Sequence, residues 1–66
     1  MEELSNKELE VLQYIAIGLN NKEISEKLFI SMATVKAHIT SIMRKLNVTN
    51  RTAAAYIAYK NKLVKF

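Results

Sequence analysis

The sequence predicts an all-α fold: one compact domain of four short helices. Three observations predict it. Apolar residues recur at steps of three and four. Ser or Asn stands three residues before Glu at two helix starts. No stretch alternates apolar and polar residues for long enough to make a strand. Sixty-six residues leave room for a single domain, residues 1–66. The chain has no proline, so its helices are ended by caps rather than by breaks.

The first element is predicted over about 6–17. Ser5-Asn6-Lys7-Glu8 is a capping box, and Leu4 with Leu9 has the spacing of a hydrophobic staple. Leu9, Leu12, Ile15, Ala16 and Leu19 form one apolar face, and Gly18 suits the left-handed position beyond the helix end. Asn20-Asn21-Lys22-Glu23 repeats the cap, with Leu19 and Ile24 as its staple, and starts a short helix over about 21–28. Ser31 caps a third helix, about 32–46, on which Val35, Ile39, Ile42 and Leu46 share a face. Thr49 or Asn50 caps the fourth, about 51–61, whose Ala53-Ala54-Ala55 run has high helix propensity. There Ala54, Ile57 and Ala58 are expected inside. Residues 62–66 read as an irregular tail.

Composition excludes several function classes. The chain has no cysteine and only one histidine, His38, and one glycine, Gly18. That removes disulfides, thiolate metal sites and Gly-rich phosphate loops. No carboxylate cluster has a His or Cys partner, so no catalytic residue, metal or cofactor is expected. No apolar run approaches the roughly 18 residues a membrane span needs, and Met1-Glu2-Glu3 does not open a signal peptide. A reducing, cytoplasmic setting is the expectation.

Charge is divided along the chain. Residues 1–26 hold all six acids against Lys7 and Lys22, a net −4. Residues 27–66 hold eight bases and no acid, a net +8. Such asymmetry points to a polyanionic partner.

The second and third helices are joined by only two or three residues, Phe29 to Ser31, which is a helix-turn-helix arrangement. With Val35 at zero and about 100° per residue, the side opposite the apolar arc carries Ala33, Lys36, Ala37, Thr40, Ser41 and Arg44. This side is small, polar and basic. It suits a DNA major groove: Lys36 can reach guanine acceptors, and Ala37 and the Thr40 methyl can meet thymine methyls. Arg44 suits a phosphate as well as a base. Ser31 and Thr34, Asn21 and Lys22, and Thr49, Asn50 and Arg51 stand at helix starts, where free N–H groups favour anions. His38 borders the apolar arc and reads as a packing or phosphate-bonding residue. Glu8 falls inside the apolar arc of the first helix and calls for a basic partner, with Arg51 the candidate.

Leu4-Ser5, Glu8-Leu9-Glu10-Val11-Leu12, Gly18 to Ser25, Leu28 to Ser31, Thr34 to Ile39, Lys45-Leu46, Val48 and Asn50-Arg51-Thr52 together resemble the LuxR-type helix-turn-helix, over roughly residues 4–58. The resemblance implies a bacterial transcription regulator, commonly the output end of a two-component response regulator. It implies base-facing roles for Lys36, Ala37 and Thr40. It implies backbone-contacting or supporting roles for Lys22, Ser31, Thr34, His38, Thr49 and Arg51. It further implies pairing of two copies on double-stranded DNA through the fourth helix, with Thr52, Ala55, Tyr56 and Tyr59 outward. RNA polymerase is a further expected partner, and no small-molecule ligand is expected in this domain. Lys7, Asn47, Met32 and Ala33 depart from the residues most usual in the family. A rival reading is a helical adaptor whose basic surface holds an acidic protein.

Overall fold

The computed structural model describes residues 3–63. Four helices follow in order: α1 (Asn6–Ala16), α2 (Asn21–Leu28), α3 (Met32–Leu46) and α4 (Arg51–Lys60). Their starts obey one rule. Ser5, Asn20, Ser31 and Asn50 are extended residues whose side chains accept the amide N–H three residues on. In α1 and α2 the box is closed by Glu8 and Glu23, which accept from Ser5 and Asn20 backbone N–H at 2.9 Å each. Of the two candidate caps for α4, Asn50 does the work: its Oδ1 accepts from Ala53 N–H at 2.7 Å.

The helix ends obey a second rule. Gly18, Phe29, Asn47 and Lys62 all have positive φ. The next residue, Leu19, Ile30, Val48 or Leu63, donates its N–H to the carbonyl of Tyr14, Ser25, Met43 or Ala58. Each of these four apolar residues then packs on the core. This is the Schellman stop, with its hydrophobic contact. It shortens two expected elements by one residue, to Ala16 and Lys60. It also orders part of the expected tail: Lys62 and Leu63 belong to the stop of α4, while residues 64–66 lie outside the described residues.

The apolar faces meet in one core. It comprises Val11, Leu12 and Ile15 from α1, Ile24 from α2, Val35, Ile39, Ile42 and Leu46 from α3, and Ala54 and Ala58 from α4. Burying each large aliphatic side chain contributes about 1.5–3 kcal/mol. Ala54 and Ala58 are wholly buried, and their short side chains let α4 lie close to its neighbours. Ile57 is half-buried beside them. Helix α3 packs against each of the other three, and α1 also packs against α4. The apolar side of α3 is thereby used up, and its position is fixed from three directions.

Candidate nucleic-acid interface

The exposed side of α3 is built by subtraction. Its apolar arc is in the core, so the side opposite must face water. Ala33, Thr34, Lys36, Ala37, Thr40 and Arg44 are all exposed. Thus Lys36, Ala37 and Thr40, expected to face bases, stand together on one side of one helix. Ser31 and Thr34 sit at its first turn, tied to each other. Ser31 Oγ accepts from Thr34 N–H at 3.1 Å and shares a 2.9 Å hydrogen bond with Thr34 Oγ1. His38 is half-buried at the border, as its angular position implies.

Ser41 is a correction. It does not join the exposed side but donates from Oγ to Glu8 Oε2 at 2.6 Å. The expected Glu8–Arg51 pair is a second correction. Glu8 Oε1 takes the Lys45 ammonium at 2.7 Å instead, with side-chain exposures of 7% for Glu8 and 19% for Lys45. With the Ser5 N–H, the carboxylate therefore accepts three hydrogen bonds. Burial alone would raise its pKa. The bonds from Lys45, Ser41 and the Ser5 backbone, with the lysine charge, outweigh that and hold it down to about 2. The sequence shows that Glu8 needs a base and leaves the choice of base to the packing of α1 on α3. Ser41 and Lys45 lie four residues apart on the flank of α3 next to its apolar arc, where a base can turn inward.

Arg51 has other partners. Its Nη1 donates to Asn21 Oδ1 at 2.5 Å and its Nη2 to the Leu19 carbonyl at 2.6 Å. The starts of α2 and α4 are thus brought together, which sequence reasoning missed. Lys22 and Thr49 are exposed, and Asn21 is half-buried. On α4, Thr52, Tyr56 and Tyr59 are exposed and Ala55 is half-buried, a stripe at helical spacing. The Lys60 ammonium lies 5.9 Å from the Tyr56 ring centroid. Phe29, at the turn between α2 and α3, is 95% exposed and was not singled out beforehand.

Among the described residues no cluster of His, Asp or Glu could hold a metal ion. No helix among them is long and apolar enough to cross a membrane.

The family described as "Bacterial regulatory proteins, luxR family" matches residues 2–58. The chain belongs to this family. The luxR-family match covers both helices of the turn, the whole of α3 and most of α4. The family is one of regulators rather than enzymes, in line with a composition that offers no catalytic cluster. The chain is 56% identical over 63 residues to the transcriptional regulatory protein LiaR of Bacillus subtilis (strain 168), covering 96% of this chain and 30% of LiaR. It is 52% identical to the oxygen regulatory protein NreC of Staphylococcus carnosus (strain TM300), covering 96% of this chain and 29% of NreC. Its fold matches the crystal structure of ChrA, a response regulator in a heme-sensing two-component system, with a TM-score of 0.88 and 48% identity over 96% of this chain and 31% of ChrA. The luxR-family chain described here therefore spans about 30% of the length of LiaR and of NreC.

Proposed function

We propose that this chain binds double-stranded DNA sequence-specifically, as the output domain of a cytoplasmic two-component response regulator that controls transcription. One observation carries the reading: α3 turns an acid-free side to solvent, with Lys36, Ala37, Thr40 and Arg44 exposed along it. A major groove about 12 Å wide admits such a helix, and nothing on that side opposes a polyanion. Lys36 reads guanine O6 and N7, while Ala37 and Thr40 read methyl groups. Lys22, Ser31, Thr34, His38, Arg44, Thr49 and Asn50 set the register by meeting phosphates, mostly at helix starts where unpaired N–H groups and the dipole favour anions. Asn21 and Arg51, bonded to each other at the starts of α2 and α4, support this surface from beside it.

Two copies pair through Thr52, Ala55, Tyr56 and Tyr59 of α4 and read half-sites about one helical turn apart. RNA polymerase is the further partner of the assembled complex.

Selection of bound sites from a random duplex pool, followed by titration in salt, tests the reading. A steep fall of affinity with salt supports DNA binding. No binding to any duplex at about 50 mM salt rejects it and leaves the basic surface to an acidic protein. Lys36→Ala should change the preferred base at one position, and equal loss on every sequence removes its reading role. Tyr56→Glu should abolish cooperative occupancy of a two-site duplex, and unchanged cooperativity removes α4 from the pairing surface.

A further inference from the structure

Arg51 opens α4, yet its guanidinium reaches back to the turn before α2. Its two acceptors, the Leu19 carbonyl and Asn21 Oδ1, bracket Asn20, the residue that caps α2. Leu19 is also the residue that closes α1, through its N–H to the Tyr14 carbonyl. One side chain therefore holds the last residue of one helix stop and the first residue of the next helix. A planar fork of donors can span two acceptors at once; a lysine ammonium is a point charge and cannot match that geometry.

The element held in this way is short, and its start lies at the edge of the core. Helix α2 is eight residues long and buries only Ile24 and Ser25. Helices so short are marginal unless tertiary contacts fix them. Lys22, the base at its start, is exposed and takes its position from the same turn.

We propose that Arg51 is a positioning residue for the DNA-binding surface: it fixes the start of α2 through Leu19 and Asn21 and does not give its charge to a phosphate. This rests on the DNA reading above. The two roles leave different traces. A phosphate contact releases counterions, and its loss flattens the dependence of affinity on salt by about one unit. A positioning contact leaves the charge count at the phosphates alone, so its loss weakens binding at every salt concentration in parallel.

The experiment uses the 66-residue chain carrying Arg51→Gln, Asn21→Ala, or both, with a random-sequence duplex and a site from the selected pool as probes. Each single variant is expected to weaken binding to both duplexes about tenfold, the worth of one hydrogen bond to a charged group, with an unchanged salt slope. The double variant should be no weaker than the worse single one. In the free domain, amide exchange at Lys22, Glu23 and Ile24 should quicken in each variant. A slope lowered by one unit in Arg51→Gln overturns the proposal. So do fully additive losses, or exchange at the start of α2 that does not change. Should Arg51→Gln fail to fold, Asn21→Ala keeps the arginine and its charge and decides the matter alone. Wild-type protein that binds no duplex rejects the DNA reading itself, while exchange in the free domain still reports whether Arg51 holds α2.

Discussion

Two lysines of α3 have opposite fates. Lys45 turns toward α1 and is matched by Glu8 at 2.7 Å, with a side chain only 19% exposed. Lys36 stands on the outer side, exposed, in a stretch of forty residues without an acid. The same residue type on the same helix is structural in one place and available to a polyanion in the other. The difference lies in one buried carboxylate contributed by a different helix. A count of bases therefore overstates the charge a partner meets. Glu8 removes Lys45 from the basic surface and, through Ser41, removes a hydroxyl as well.

Replacing residues on each side should sharpen this contrast. The largest effect belongs to the core beneath it. Ile42→Ala deletes a fully buried side chain and should cost about 4 kcal/mol in urea unfolding, whereas Thr40→Ala, on the exposed side, should stay within about 0.5 kcal/mol. Glu8→Ala should cost about 3 kcal/mol, because Lys45 is left without its partner in a half-buried site. Restoring stability with Glu8→Ala, Lys45→Met would confirm that the penalty is the orphaned charge. The Glu8 pKa is lowered on folding, so its stabilisation is present above the ordinary value of 4.5 and fades as pH falls from there toward about 2. An acid titration of the wild type should show that loss, and Glu8→Gln should lack it. Lys36→Ala should leave unfolding unchanged and cost about 1–3 kcal/mol at one base position of a selected site. The smallest effect concerns the turn between α2 and α3. Phe29→Gly relieves a left-handed conformation at an exposed side chain and should raise stability by about 1 kcal/mol, measurable as a higher Tm.

Much of the fold could be read from the chain because caps act locally. Ser5 with Glu8 and Asn20 with Glu23 are contained within four residues, so their partners are adjacent in sequence. The exposed side of α3 was legible for a similar reason: helical period alone separates Lys36, Ala37 and Thr40 from Val35, Ile39 and Ile42. What was not legible depends on which surfaces meet. Glu8 announced that it needed a base, but choosing Lys45 over Arg51 requires knowing that α1 lies along that flank of α3. As the partner of Glu8, Arg51 was misassigned for the same reason, since its acceptors lie some thirty residues away. Phe29 was missed on a local rule. Glycine and asparagine are the residues that advertise a left-handed stop, and an aromatic one does not. The apolar residue after it, Ile30, was the cue, because all four stops in this chain place one there.

Those four stops have a mechanical consequence. The connections they leave are four, three and four residues long, and each is pinned at both ends by a cap and a stop. Such linkers contain no slack for the backbone to remodel itself on a target. If a bound duplex departs from ideal geometry, such connections give the backbone little room to follow it, so side-chain rotamers and the double helix itself must yield. Sequence steps that twist or kink cheaply should then be favoured even where no side chain touches them.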